Sequence, residues 1–397
     1  MARTETDRRS LRHASSFRDT LFWKLMDFGS VEIPYARPTQ WGRELELVTA
    51  AITSNWIGTG PFLTRLEEEL AALHRVSSAL LVVNGTAALH ASYLALGLKP
   101  GDEVIFPGFG YMAGANVALQ LGLVPVFCDV DRETYCLNAK LIEERITRRT
   151  RAVVPIHTYG MVCDMRQILD LASAHRICVI EDAAEALGGS RDGFAAGTRG
   201  DVGILSFHAA KTITTGEGGA VLTSSDEIAE RVRQFRSHGS LRQRYFHDFP
   251  GHNFRMSNLH AAVGLAQLEG WESIIRERSR VVNLYREKLT SVCGVRLQAY
   301  ESSVSPVVWA VAAELDLADD ESASTVVNLL RERGVETRNG FHSATEHSIY
   351  GPMRAPIPTS NHLARTVISL PTYPGLTNEN IDRVCCELDI ALRRVKT

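Results

Sequence analysis

Nowhere does the sequence run apolar for the roughly 20 residues that a membrane-spanning helix needs, and its arginine-rich opening leads into no apolar core of secretory-signal type. Charge of one sign is not in excess either. Against 43 Lys and Arg stand 46 Asp and Glu, a formal net charge of -3, too weak a field to gather nucleic acid or an anionic membrane. No helix-turn-helix pattern or basic stripe compensates locally. Cysteines are few: Cys128, Cys136, Cys163, Cys178, Cys293, Cys385 and Cys386 are odd in number, scattered, and show no CxxC spacing. They read as buried thiols in a reducing compartment, with no disulfide framework and no metal site. A cytoplasmic protein without nucleic-acid or membrane partners is therefore expected. Missing too are the GxGxxG of a dinucleotide fold and the GxxxxGK loop of a nucleotide triphosphatase, which leaves a single phosphate better supported than a nucleotide cofactor.

What remains is an ordinary globular composition, 45% hydrophobic and 22% charged over 397 residues, enough for two or three domains. From about 79 to 224, apolar runs alternate with helical patterns: Ala79–Val83, Glu103–Phe106, Val124–Phe127, Ala152–Ile156, Ile177–Ile180 and Val202–Phe207, with amphipathic stretches such as Leu141–Arg149 and Met165–His175 between them. Short strands apolar on both faces and separated by helices predict an α/β fold with a mostly parallel, doubly covered sheet. Ligands in such sheets sit beyond the carboxyl ends of the strands. Met256 to about Leu289 reads as one long helix. Beyond it come a strand over Val307–Leu315, a helix near Ser324–Arg333, a short strand at Val335-Glu336-Thr337 and a last amphipathic helix after Thr377. The expected division is an extension over 1–32, a large domain over 33–275 and a smaller α+β domain over 276–397.

The residues that follow the strands carry the chemistry. Lys211 lies in Ser206-Phe207-His208-Ala209-Ala210-Lys211, just past a buried strand and before the turn Thr214-Thr215-Gly216-Glu217-Gly218-Gly219. A partly desolvated amine there can form an imine with an aldehyde, whereas in isolation it would read as a solvated loop lysine. Asp182, directly after an apolar strand, suits the anion that keeps a pyridoxal ring nitrogen protonated; otherwise it would cap the helix that the Ala-rich segment suggests. Asn84-Gly85-Thr86-Ala87-Ala88-Leu89 offers backbone N–H groups and a hydroxyl to a phosphate at a strand-to-helix junction. His157 reads as a supporting or core histidine, while His208 either faces the substrate or is satisfied by backbone. Arg255 and Arg338 have the fork that matches a carboxylate or phosphate, but single arginines are as readily solvated.

With these in place, the sequence from about Ile33 to its end resembles the DegT/DnrJ/EryC1/StrS family of sugar aminotransferases. The matches run in order: Trp56-Ile57-Gly58-Thr59-Gly60-Pro61, the Asn84–Leu89 turn, Pro107–Asn116, Pro155-Ile156-His157-Thr158-Tyr159-Gly160, Glu181–Glu185, Ser206–Gly219, Gly251-His252-Asn253-Phe254-Arg255-Met256 and Leu370-Pro371. The resemblance implies the type I fold of pyridoxal-phosphate enzymes, with a seven-stranded type of sheet and pyridoxal 5'-phosphate as cofactor. It implies that Lys211 forms the Schiff base and later shuttles a proton, and that Asp182 pairs with the pyridinium. Gly85, Thr86 and Ser206 would hold the phosphate, and Tyr111 would stack on the ring. Asn253 would reach the neighbouring subunit's cofactor, so a homodimer with shared sites is implied.

Three departures stand out. Glu185 occupies a position that is often Gln, where a carboxylate would repel the ring's phenolic oxygen unless protonated. Gly110 replaces a commoner Thr. The opening segment, with Phe17, Leu21, Phe22, Trp23 and Leu25, exceeds what the family requires and looks amphipathic.

The implied activity is transfer of an amino group from an amino acid, L-glutamate foremost, to a keto-sugar. The stretch Lys211–Gly219 resembles the variant in enzymes that aminate C4 of nucleotide-linked 4-keto-6-deoxy sugars. A sugar phosphate, cyclitol or aminoshikimate-type ketone remains the alternative acceptor. A sugar dehydratase would carry histidine in place of Lys211, and a non-catalytic binding protein would have no need of the intact set.

Overall fold

Alternation of apolar side chains decides the architecture. In the strand Ser78–Val82 (β1), Ala79 and Leu81 join one buried cluster and Leu80 and Val82 the other, the period-two pattern of a strand covered on both faces. The same division recurs in Glu103–Pro107 (β2), Val124–Cys128 (β3), Thr150–Val153 (β4) and Cys178–Asp182 (β5). Two two-residue strands, Ser190–Arg191 (β6) and Phe194–Ala195 (β7), precede Val202–Ser206 (β8) and Gly219–Thr223 (β9). The computed structural model describes residues 31–240, 245–318 and 323–395, so the expected amphipathic segment around Phe17 and Trp23 lies outside the described residues.

The seven-stranded sheet has the order β1-β9-β8-β5-β4-β2-β3. Only β9 runs against its neighbours β1 and β8; the other pairings are parallel. Helices Glu44–Thr53, Pro61–His74, Met165–His175 and Asn258–Glu269 bury one face, and Gly85–Ala95, Ala113–Gln120 and Asp226–Phe235 the other. The antiparallel β9 is absent from the sequence reading because Gly218-Gly219 makes its start look like the end of a loop.

A smaller unit follows. Val295–Leu297 (β10), Val304–Ser305 (β11), Val311–Leu315 (β12), Arg338–Asn339 (β13) and Val367–Leu370 (β14) are its strands, and β10-β12-β14-β13 form an antiparallel sheet. Helices Ala323–Glu332 and Asn378–Val395 cover it. β11 instead pairs with β6 of the β6–β7 hairpin.

Three sequence-derived elements change. The long helix over Met256–Leu289 is two, Asn258–Glu269 and Trp271–Leu289. Gly270 breaks it: a Cβ there would stand 2.7 Å from Cγ of Trp41, so the chain turns where that ring presses on the backbone. The stretch Leu141–Arg149 keeps only helix Ala139–Glu143, because the Thr147 hydroxyl donates to buried Glu103 at 2.6 Å and leads the chain into β4. Val335 makes only a bridge to Ile33, and the ladder begins at Arg338. The thiols also differ from expectation, for Cys293 and Cys386 are exposed while Cys128, Cys136, Cys163 and Cys385 are buried.

Position 275 falls inside helix Trp271–Leu289, whose Ile274 belongs to the large core while Val281, Val282, Tyr285 and Leu289 belong to the small one. Ile33 lies in the small core as well. Among the described residues no helix is long and apolar enough to cross a membrane.

Candidate active site

Parallel strands bring their carboxyl ends to one edge, and the singled-out residues come with them. Asp182 and Ser206 are the last residues of β5 and β8, while Asn84-Gly85-Thr86 follows β1 and Tyr111 follows β2. Because β9 is antiparallel, its first residue, Gly219, lies at the same edge, opposite Val82 and Ser206. A Cβ on Gly219 would stand 2.6 Å from the Asn84 carbonyl carbon and 2.7 Å from Gly85 N. Only glycine lets the strand come so close to that turn.

The turn is built to receive an anion. Asn84 caps helix Gly85–Ala95 by accepting from Ala87 N at 2.8 Å. The N–H groups of Gly85 and Thr86 have no intrahelical acceptor at this end and point out of the first turn. A cavity of about 500 Å³ opens there, lined by Gly85, Thr86, Tyr111, Asp182, Glu185, Ser206, His208 and Lys211. Every expected site residue lines it except Asn253, which is exposed and bridges to Ser237.

The charged groups are unusually deep. The Lys211 side chain is 14% exposed, and its Nζ lies 3.8 Å from Glu185 Oε1. Burial pushes the amine below its ordinary range, against the pull of Glu185 and Asp182. Burial likewise pushes Asp182 and Glu185 above the usual carboxylate range, with Lys211 opposing both shifts. An amine must be neutral to attack a carbonyl, and burial here favours that neutral form of Lys211. No helix follows Asp182, which therefore caps none; its Oδ1 accepts from Ala184 N at 3.1 Å.

Behind this row, Glu181 is wholly buried. Burial alone would raise it, but hydrogen bonds from His157, Gly200 and Gly197 hold it below its ordinary value. His157 Nε2 lies 3.0 Å from Glu181 Oε2, and its Nδ1 accepts from Cys163 N at 3.2 Å. Both ring nitrogens are thus occupied, and His157 supports the site from beneath. His208 faces the cavity half-exposed, with Nδ1 accepting from Ala210 N at 3.3 Å.

Several walls are invisible in the sequence. Tyr159 holds a left-handed backbone, φ 55°, ψ 18°, a strained state for a residue of its size. That conformation sends its N–H to Glu185 Oε2 at 2.9 Å. Its ring stacks near-parallel with Trp309 at 6.1 Å and with Phe341 at 5.1 Å. Trp309 in turn lies under the lysine, 3.8 Å from Nζ to the ring centroid. Tyr111, expected to stack on a ring, is 63% exposed at the mouth, tilted against Phe341. Arg338 lines the same mouth with its guanidinium 4.2 Å above the Tyr35 ring, while Arg255 is exposed and bridges backbone with Val82.

These residues fit pyridoxal phosphate. The Gly85 and Thr86 amides with the Thr86 and Ser206 hydroxyls suit a phosphate, the deep Asp182 carboxylate suits a protonated ring nitrogen, and the Lys211 amine suits an aldehyde.

Comparison with known proteins agrees. Residues 39–389 match the sequence model of the DegT/DnrJ/EryC1/StrS aminotransferase family. The chain is 36% identical to a GDP-perosamine synthase of Escherichia coli O157:H7, over 89% of this chain and 96% of that one. It is 37% identical to a GDP-perosamine synthase of Caulobacter vibrioides, over 91% of this chain and 98% of that one. The solved structure of DesI, determined in the presence of its TDP-sugar product, superposes with a TM-score of 0.85 at 32% identity, covering 92% of this chain and 94% of that one.

Proposed function

The chain belongs to the DegT/DnrJ/EryC1/StrS aminotransferase family, and from that premise we propose that it moves the amino group of L-glutamate onto a nucleotide-linked 4-keto-6-deoxy sugar. It is a pyridoxal-phosphate-dependent aminotransferase. The observation that carries the chemistry is the convergence of a buried amine, a buried carboxylate and a phosphate cradle in one cavity whose mouth holds Arg338 and aromatic rings; the likeness to GDP-perosamine synthases supports the nucleotide-linked acceptor. When bound, the cofactor supplies an aldehyde that condenses with amines and a ring that withdraws electrons from the attached carbon.

The chain's own residues do the rest. Lys211 Nζ would hold the cofactor's aldehyde carbon and, as a free amine, would take and return the proton at the donor carbon. Asp182 would keep the ring nitrogen protonated. Gly85, Thr86 and Ser206 would anchor the phosphate, and Tyr111 would cover the ring. Glu185, held by the Tyr159 amide, stands against Lys211 Nζ and would take or return its proton. Arg338 and Tyr35 at the mouth suit an anionic substrate group, either the donor carboxylate or a diphosphate.

Two features support a homodimer. Asn253 is exposed and does not line its own cavity, as expected of a residue serving a second copy. Leu45, Ile52, Trp56 and Ile57 are large, apolar and 46% to 80% exposed, and buried Asn258 pins this segment by donating to Trp56 O at 2.6 Å. Such a patch calls for a partner surface. Cys136 and Cys163 both donate to Ile156 O as thiols, which suits the reducing cytoplasm.

Mixing the pyridoxal-phosphate-loaded protein with L-glutamate is expected to shift its visible absorbance to that of the amine-bearing cofactor, and a nucleotide-linked 4-keto-6-deoxy sugar should reverse the shift. Discharge only by ketones without a nucleotide would overturn the acceptor assignment in favour of a sugar phosphate or cyclitol. A Gly85→Ala substitution tests the cradle separately. The new Cβ would sit 3.2 Å from Ser206 Cβ, and affinity for pyridoxal phosphate should fall about tenfold, the equivalent of one weakened contact. Titrating the cofactor-free variant with pyridoxal phosphate reads this directly.

A further inference from the structure

Arg278 is 3% exposed in the middle of helix Trp271–Leu289. Arginine is rarely buried without a carboxylate beside it, yet among the described residues none pairs with this one. Its donors go to backbone. Nη1 donates to the Trp309 carbonyl at 3.1 Å and, more weakly, to the Val308 carbonyl at 3.4 Å, while Nη2 donates to the Lys211 carbonyl at 3.0 Å. Nε has no acceptor. Burial lowers the guanidinium to about 10, so it stays cationic at neutral pH.

The carbonyls it joins belong to the reactive lysine and to the ring beneath that lysine's amine. Trp309 is fixed a second time, because its indole Nε1 donates to the Ala210 carbonyl at 2.7 Å. Ala210 and Lys211 are thereby tied to Trp309 by one bond at the indole and one shared guanidinium at the backbone. The loop comes from the large sheet and Trp309 from the approach to the small one, and Arg278 sits on the helix that spans both cores.

We propose that Arg278 is a positioning residue for the transamination: by gripping the Lys211 and Trp309 carbonyls together it keeps the lysine amine over the indole face and aimed into the cavity. A buried cation with only neutral acceptors is a costly way to brace a fold, and methylene packing would do that more cheaply. What the planar fork adds is fixed geometry between two separate backbones. The inference rests on the reading of Lys211 as the reactive amine.

Three variants separate geometry from charge in the pyridoxal-phosphate-loaded protein. Arg278→Lys keeps a cation but cannot fork, Arg278→Met keeps bulk without charge, and Trp309→Phe keeps a ring without the indole donor. Single-turnover reaction with L-glutamate should slow about 10²-fold in Arg278→Lys and Arg278→Met, with the glutamate concentration at half-maximal rate nearly unchanged. Trp309→Phe should show the same pattern more weakly. The second readout is the pH at which the bound cofactor's visible band changes as its lysine link gains a proton. Asp182, Glu185 and, from the helix, Arg278 act on that nitrogen, and the titratable groups lining the rest of its cavity are Tyr35, Tyr111, Tyr159, His208, Glu217 and Arg338. Removing the cation in Arg278→Met should raise that pH, whereas Arg278→Lys should leave it near the parent's while still losing rate. A residue that only braces the fold would lower the melting temperature without slowing the single-turnover rate, and a cation acting through its charge alone would lose rate in Arg278→Met but not in Arg278→Lys.

Parental rate in either Arg278 variant overturns the proposal, and if Arg278→Met does not fold, Arg278→Lys alone decides it. Should Lys211→Ala also react at the parental rate, the fault lies in the functional reading; should Lys211→Ala be inactive while Arg278→Lys is normal, only this inference falls.

Discussion

Replacing Lys211 with alanine is expected to reduce turnover on the order of 10⁴-fold, the scale of a lost general acid–base, while the protein still takes up pyridoxal phosphate without a covalent link. Borohydride would trap cofactor on the parent and not on the variant. The loss is large because no other described residue lining the cavity carries a primary amine: the rest offer carboxylates, hydroxyls, amides, rings and the Arg338 guanidinium. His208 is held through Nδ1 by Ala210 N, and its Nε2 lies 3.9 Å from Glu217. Small primary amines added to the buffer should restore part of the rate to Lys211→Ala, since the cavity left by the side chain opens beside Trp309. Undiminished turnover by Lys211→Ala would remove the basis of the assignment.

The second large effect is at Asp182. Asp182→Asn preserves shape and the bond from Ala184 N but removes the charge that would hold the ring nitrogen protonated, and kcat should fall on the order of 10² to 10³-fold, as when one preorganised electrostatic partner is lost. Stability should move the other way. Burial raises Asp182 above the usual carboxylate range, so its contribution to folding is fully present below the ordinary carboxyl pKa and is lost as pH rises through the raised one. Asparagine abolishes that loss. Without cofactor, Asp182→Asn should therefore melt at or above the parent temperature at neutral pH, with the advantage disappearing in acid. Calorimetry of the two cofactor-free proteins across pH checks the sign, and a variant less stable than the parent at neutral pH would contradict it.

How much of this was legible beforehand depends on where each residue's neighbours come from. Asp182, Ser206, Lys211 and the Asn84–Thr86 turn announce themselves because an apolar run followed by a polar residue is written locally, and a parallel sheet then collects such ends on one edge. The helix Met165–His175 is equally local and keeps its expected bounds. Trp309, Phe341 and Arg278 carry no such mark. Trp309 looks like part of a strand, Phe341 lies in a stretch without periodicity, and Arg278 is one of several arginines on an amphipathic helix; only the packing of the small sheet against the large one brings them to Lys211. The break at Gly270 is hidden for the same reason, since the ring that forces it belongs to Trp41.

The lysine's loop is tethered at both feet, leaving from the end of β8 and returning into β9, with Phe207 N donating to Gly218 O and Thr215 N to Phe207 O. Inserting or deleting residues between those feet would carry the amine away from Asp182 before it changed anything else. A change of acceptor is therefore expected from side chains such as Tyr111, Arg338 and Phe341, which line the cavity without carrying the reactive nitrogen.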